Sequence, residues 1–177
     1  MNSERTPNDM YTSQQKEFWT RDPTDVAKEL VGSYIFINDF GHPSAVEYIT
    51  ETRAWNKSLT KRDGLWTQEP GTIGYFPSRG GPILSITAHE KEKQGLVTVT
   101  EMILDRTAET IGAAKVCNIV EANTKRNTYV IPGNNELLFM QGLDWKSMGR
   151  EITTIDRTER NPPNLIGTYR LTFLRKS

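Results

Sequence analysis

The hydrophobic and polar positions along the chain predict more strand than helix. A short helix is expected over Asp25–Val31, because Pro23 favours a helix start and Gly32 suits the position just after a helix end. Ser33–Asn38 is rich in β-branched and aromatic residues, and Ala45–Trp55 has the length of a long strand. A turn rich in glycine and proline separates these two segments, so they are predicted to form an antiparallel hairpin.

The rest of the chain continues the same pattern. Thr72–Phe76 and Ile83–Thr87 flank a glycine- and proline-rich tip, Leu96–Leu104 alternates as a strand does, and the apolar spacing in Ala108–Val120 is closer to helical. Three further strands are predicted: Glu136–Met140, Glu151–Ile155 and Ile166–Leu174. Because helices and strands do not alternate regularly, we predict an α+β fold with a mainly antiparallel, curved sheet rather than a doubly wound one.

Length and composition are those of one globular domain. The chain has 177 residues, of which 36% are hydrophobic and 25% charged. Residues 16–177 are expected to form the domain and residues 1–15, which are polar and lack the apolar core of a secretory signal, a disordered arm. No apolar run reaches the roughly 18–20 residues of a membrane helix. We therefore expect a monomer that is neither secreted nor membrane-bound, cytoplasmic in a prokaryote or nuclear in a eukaryote.

The residue types present limit the chemistry. One cysteine, Cys117, and two distant histidines, His42 and His89, provide no zinc-ligand spacing, and the single cysteine fits a reducing compartment. Glycine motifs of nucleotide-binding loops are missing, so we expect neither a metal nor another cofactor. Lys plus Arg equals Asp plus Glu at 22 each, so overall charge gives no indication of nucleic-acid binding. Hydrolytic chemistry would depend on carboxylates.

Two charged strand positions attract attention. Regular alternation places Arg53 on one face of Ile49–Trp55, and it places Glu101 on the same face as Val97 and Val99. An unpaired carboxylate on an apolar face would be costly. Either Glu101 lies near an edge where the strand twists outward, or it pairs with Arg53 in a pocket, in which case the pair could still be structural.

The tip of the second predicted hairpin carries Arg79 followed by Gly80 and Gly81. Glycines let the backbone approach another molecule closely, and a cationic side chain at such a tip could enter a DNA minor groove in place of an extruded nucleotide. A glycine-rich tip is also common in ordinary hairpins. Likewise, Lys61 and Arg62 could contact phosphates or form a solvated surface.

Four segments in order resemble the alkylpurine (3-methyladenine) DNA glycosylase family. Residues 22–32 resemble its opening helix, and residues 49–55 (ITETRAW) its Val-Glu-Thr-Glu-Ala-Tyr strand. Residues 70–75 (PGTIGY) resemble the Pro-Gly-Thr-x-Tyr-Val segment before its intercalating hairpin, and residues 112–119 (GAAKVCNI) its Gly-Pro-Gly-Lys-Leu-Cys helix. The resemblance covers about residues 18–174 and implies the fold of that family.

The resemblance also implies roles for particular residues. In the family the second acid of Glu-Thr-Glu activates water, and here Arg53 occupies that position. Aligning residues 95–101 with a later strand of the family places Glu101 at its water-orienting arginine, whereas a one-residue shift would place Thr100 there. In the first register the acid and the arginine have exchanged strands. Trp55 occupies the position of the aromatic residue that stacks on the flipped base, and Arg79 that of the intercalating tyrosine.

The implied function is excision of a modified purine from duplex DNA in base excision repair. The protein would flip the base and hydrolyse its N-glycosidic bond, with Glu101 as general base, Arg53 as its charge partner, and Glu51 as the next candidate base. The other expected contacts are Trp55 and Phe76 stacking on the base, and Tyr75, Arg79, Gly80, Lys61 and Arg62 binding DNA. The alternatives are a catalytically inactive DNA-binding or damage-sensing module on the same fold, and a protein whose pocket binds a nucleoside or nucleotide.

Overall fold

The computed structural model describes residues 16–39, 42–56, 68–78, 80–90, 93–104, 107–124, 128–130, 137–140, 150–155 and 164–173. The helices of this part are α1 (Lys16–Trp19), α2 (Pro23–Leu30) and α3 (Ala113–Thr124). Its strands are β1 (Tyr34–Asp39), β2 (His42–Trp55), β3 (Thr72–Ser78), β4 (Gly81–Thr87), β5 (Leu96–Leu104), β6 (Thr110–Gly112), β7 (Thr128–Val130), β8 (Leu137–Met140), β9 (Arg150–Thr154) and β10 (Leu165–Phe173). The arm predicted for residues 1–15 lies outside these ranges.

One antiparallel sheet contains all the described strands. Its main path runs β7-β3-β4-β5-β2-β1-β8, and the fold is α+β with few helices, as predicted. The 14-residue strand β2 lies at the centre: β5 pairs along one edge, while β1 and β10 pair with its first and last parts along the other. Strand β9 extends the sheet beyond β10. Strand β5 is also shared, because β4 pairs with residues 96–99 and β6 with residues 101–103.

The hydrophobic core lies between one face of the sheet and the helices α2 and α3. Helix α2 begins where the sequence predicts, because the Asp22 carboxylate accepts a hydrogen bond from the Thr24 backbone N–H at 2.8 Å and Pro23 occupies the first turn. It ends before Gly32, whose φ of +82° suits glycine. Its buried face reaches β2, where the Thr52 hydroxyl donates to the Ala27 carbonyl at 2.8 Å. The fully buried large side chains are Trp19, Leu30, Ile35, Ile49, Ile73, Leu84, Ile86, Leu96, Met102 and Ile111.

The helix predicted over Ala108–Val120 is only partly correct. Thr110–Gly112 pair with β5 as strand β6, and the helix begins at Ala113. Ala108 has a φ of +54°, which breaks any helix there, and the pair Met102 and Ile111 is buried in the core. Burial in a strand therefore overrides the helical spacing. None of the described helices is long and apolar enough to cross a membrane.

Candidate active site

Two β-bulges interrupt the pairing of β2 with β5 at the centre of the sheet. Ile49 pairs with Met102 and Glu51 with Glu101, which leaves Thr50 as an extra residue in β2. Thr52 then pairs with Val99, which leaves Thr100 as an extra residue in β5. Each bulge shifts the register by one residue in the opposite sense, so the strands are back in phase on both sides.

The bulges bring four polar side chains together on the sheet face opposite helix α2. The Thr50 hydroxyl donates to Glu101 Oε1 at 2.9 Å, and the Thr100 hydroxyl donates to Glu51 Oε1 at 2.9 Å. Each threonine thus bonds the carboxylate of the other strand. Bulges of this kind commonly redirect side chains next to functional sites.

Two arginines bind the carboxylate of Glu51. Arg53 lies two residues further along β2 and approaches Glu51 Oε1 with Nε at 3.3 Å and Nη2 at 3.1 Å. Arg170, which is opposite Glu51 on β10, donates from Nη2 to Glu51 Oε2. The Glu51 side chain is 2% exposed, against 27% for Arg53 and 38% for Arg170. Glu51 is therefore an almost enclosed anchor for two partly exposed cations.

The surroundings of Glu51 act on its pKa in opposite directions. Burial raises the pKa, whereas the hydrogen bond from Thr100 and the charges of Arg170 and Arg53 lower it. The lowering contributions outweigh the burial, so the pKa of Glu51 lies below its ordinary value of 4.5. A carboxylate held in this way is stabilised as the anion and is a weak proton acceptor.

Glu101 is more accessible than Glu51. Its side chain is 29% exposed, its Oε1 accepts the bond from Thr50, and its Oε2 lies 3.9 Å from Arg170 Nη2. The predicted direct pairing of Arg53 with Glu101 is not formed, since the guanidinium of Arg53 is bound to Glu51 and Arg53 lies opposite Thr98. The two predicted catalytic residues belong to one polar cluster, which consists of Thr50, Glu51, Arg53, Thr100, Glu101 and Arg170. Within it, Arg53 and Glu101 are connected through Glu51 and Arg170.

The predicted strand face of Glu101 is also wrong. Val97 and Val99 are fully buried in the core beneath α2, whereas Glu101 bonds Thr50 on the opposite face. The cause is the bulge at Thr100, which adds one residue and reverses the alternation beyond it. Glu101 is thus neither an unpaired carboxylate on the core face nor an edge residue of a regular strand.

No family model and no curated protein matches the chain. Within the described ranges, no group of three or more His, Cys, Asp and Glu side chains could hold a metal ion.

Trp55 is not placed as a stacking platform for a base. The residue is 6% exposed, and its ring belongs to a small buried cluster with Leu96, against which Ile83 and Leu165 pack. Its indole N–H donates to the Thr98 hydroxyl at 3.0 Å. Because the ring is enclosed and its polar atom is bonded, the position implied by the resemblance serves packing here.

The remaining predicted DNA contacts are residues of the β3–β4 hairpin and residues 61 and 62. Tyr75 is half-buried and packs against the core, and Gly80 is exposed at the hairpin tip. Phe76 lies opposite Ile83 in the hairpin, but its side chain falls outside the described part. Arg79, Lys61 and Arg62 also lie outside the described residues.

Sequence reasoning missed Arg170. Its strand shows a usable signal, since Tyr169 and Leu171 flank it as core-facing residues and leave Arg170 on the opposite face. What the sequence does not show is that β10 pairs with β2, which brings Arg170 to a glutamate 119 positions away. The buried Nε atom of Arg170 has no hydrogen-bond partner among the described residues, so its guanidinium is held through Nη2.

Proposed function

We propose that the protein binds duplex DNA and hydrolyses the N-glycosidic bond of a modified purine, with Glu101 as the general base. The observation that carries the proposal is a partly exposed carboxylate fixed by the Thr50 hydroxyl beside a second carboxylate that is fully engaged by arginines. The four segments resembling alkylpurine DNA glycosylases supply the substrate class. Their order along the chain is the reason for choosing DNA over a free nucleoside.

The unequal surroundings of the two carboxylates divide their roles. Glu51 has both oxygens occupied, by Thr100 and Arg53 on one and by Arg170 on the other. Glu101 has one oxygen bound to Thr50, while its Oε2 has only Arg170 at the longer distance of 3.9 Å. A general base needs an accessible oxygen within hydrogen-bond reach of water. Glu101 meets this requirement better than Glu51.

The proposed step uses water as the nucleophile. Glu101 accepts one proton from a water molecule as the water oxygen forms a bond to C1′ of the deoxyribose. The C1′–N bond breaks and its electron pair leaves with the purine, which takes up the proton held by Glu101. The products are an abasic site and the free base, and the chain contributes no covalent intermediate.

The first experiment compares Glu101→Gln with the surface control Glu90→Gln, which alters an exposed carboxylate bound to Lys93. Both variants are incubated with duplexes containing hypoxanthine, ethenoadenine or 7-methylguanine, and abasic sites are detected by alkaline cleavage. General-base assistance contributes about 10²–10⁴-fold, so Glu101→Gln should lose most excision while retaining DNA binding. Glu90→Gln should match the wild type. Undiminished excision by Glu101→Gln would refute the assignment of the base.

Two observations favour a second candidate, a damage-sensing module without catalysis. The cluster contains two glutamates and two arginines, so its charges balance, and such groups also occur as structural networks. The enclosed ring of Trp55 points the same way, because it removes the stacking partner that the resemblance implies. A wild-type protein that binds lesion duplexes in preference to undamaged ones but excises nothing would favour this candidate.

A further inference from the structure

An open cleft lies where β5 changes its pairing partner. Along one edge of β5, strand β4 ends its pairing at Val99 and strand β6 begins its pairing at Glu101. The cleft occupies about 360 Å³. Its described lining residues are Gly80, Ile83, Gly112, Ala113, Ala114 and Lys115.

One lining residue of the cleft pairs with the strand position of the proposed general base. Gly112 is directly opposite Glu101 in the ladder of β6 and β5, and opposed residues of an antiparallel pair point to the same face. A Cβ atom added at Gly112 would meet no heavy atom within 4 Å. The space that a side chain at position 112 would enter is therefore open, and it lies on the same face of the strand pair as the Glu101 side chain.

The described walls of the cleft are mostly aliphatic. Ile83, Ala113 and Ala114 provide methyl and methylene groups, and the charged lining residue Lys115 is paired with Glu109 at 2.7 Å. The described lining residues include neither an aromatic ring nor a carboxylate. A cationic base gains most from aromatic faces or negative charge, whereas a neutral heterocycle gains from any apolar contact.

We infer that this cleft, rather than the buried Trp55, receives the extruded base, and that it selects neutral lesions over positively charged methylpurines. The inference rests on the proposed function, since it names the substrate class of the same site. The charges of the described residues support the preference: Glu51, Glu101, Arg53 and Arg170 balance, and Lys115 at the cleft is balanced by Glu109, so these residues carry no net negative charge that would attract a cation. The aliphatic side chains of the described wall offer no compensation for desolvating a positively charged base.

Gly112 offers a way to fill the cleft without disturbing the fold. Its φ is not in the left-handed region, so a side chain is compatible with its backbone. Gly112→Val places a β-branched side chain on a strand and into the open space, and Gly112→Ala is the matched smaller change. Thermal melting of both variants checks that the fold is retained.

Binding is measured on three duplexes, carrying hypoxanthine, 7-methylguanine or a tetrahydrofuran abasic analogue that has no base. We expect Gly112→Val to weaken binding to the hypoxanthine duplex about tenfold or more, and Gly112→Ala to do so by less. Binding to the abasic analogue should change by no more than about twofold, because that duplex places nothing in the cleft. Wild-type protein should prefer hypoxanthine to 7-methylguanine.

Each contrary result has a distinct meaning. Equal losses on the hypoxanthine and abasic duplexes, or no loss on either, would overturn the placement of the base in the cleft. A preference for 7-methylguanine would overturn the charge selection. Absence of excision with the expected binding pattern would refute the hydrolytic function and leave the cleft as a recognition site. Failure to bind any of the duplexes would refute both the hydrolytic function and the role of the cleft.

Discussion

Replacing Glu51 by glutamine should destabilise the protein more than any other single change in the polar cluster. Glutamine keeps the size of the side chain but removes the charge that binds Arg53 and Arg170. It also replaces one carboxylate oxygen by an NH₂ group, which cannot accept a hydrogen bond. The variant therefore leaves two guanidinium groups facing a neutral amide.

The magnitude follows from how far the partners are buried. Removing one member of a fully buried ion pair costs about 3–5 kcal/mol, and a hydrogen bond to a charged group contributes about 1.5–3 kcal/mol. Glu51 is 2% exposed, but Arg53 and Arg170 are 27% and 38% exposed and can recover water when released. We therefore expect a loss of about 2–3 kcal/mol, which corresponds to a fall in Tm of about 4–12 °C for a domain of this size.

The loss should depend on pH in a defined direction. The pKa of Glu51 is lowered in the folded protein, because the hydrogen bond from Thr100 and the two arginine charges outweigh the opposing effect of burial. A carboxyl with a lowered folded pKa contributes stability that is fully present above its unfolded pKa and is lost as the pH falls through the folded value. The difference between wild type and Glu51→Gln should therefore be constant near neutral pH and shrink below the ordinary pKa of 4.5.

The measurement is urea unfolding followed by tryptophan fluorescence, which reports on the buried rings of Trp19 and Trp55, at pH 7 and at steps down to pH 3. Glu101→Gln is the matched control, because the Glu101 side chain is 29% exposed and its contact with Arg170 is long, at 3.9 Å. This variant should lose at most about 1 kcal/mol of stability. Equal losses in the two variants, or a difference that grows as the pH falls, would refute the role assigned to Glu51.

Two further substitutions test packing described above. Trp55→Phe removes the hydrogen bond to Thr98, so it should lower the free energy of unfolding by about 1–3 kcal/mol in urea. It should not alter the preference for lesion duplexes. A lost preference would show that the Trp55 ring contacts the base. Gly81→Ala places a Cβ 2.7 Å from the Cβ of Ala114 at a backbone φ of +106°, so it should lower the free energy of unfolding by about 1–3 kcal/mol. Gly112→Ala is the control and should melt close to wild type, because its added Cβ meets open space. Identical melting of the two variants would contradict this difference in free space.

The sequence predicts the parts of the fold that depend on neighbouring residues. The start and end of α2 follow from Asp22, Pro23 and Gly32, all within a few positions of the helix. The β3–β4 hairpin follows from its glycine-rich tip in the same way. These signals act locally, and so a single chain is enough to read them.

The candidate site depends on features that leave no local mark. A β-bulge has no sequence period, and the threonines at 50 and 100 fit a regular strand as well as a bulged one. Period-two alternation therefore assigns Glu101 to the wrong face and pairs it with Arg53. Arg170 escapes prediction because its contact with Glu51 is created by the pairing of two distant strands.

Because the two bulges compensate each other, residues of the polar face can be exchanged without changing the register of the core residues on either side. Ile49 and Met102 on one side, and Thr52 and Val99 on the other, keep their opposed positions although each strand carries an extra residue between them. Substitutions at the four bulge positions, Thr50, Glu51, Thr100 and Glu101, can change the acidity or shape of the polar face without requiring the core to repack. An insertion or deletion in only one strand would instead slip everything beyond it by one residue and turn core side chains outward. The fold thus permits exchange of residues at this point but not a change in their number.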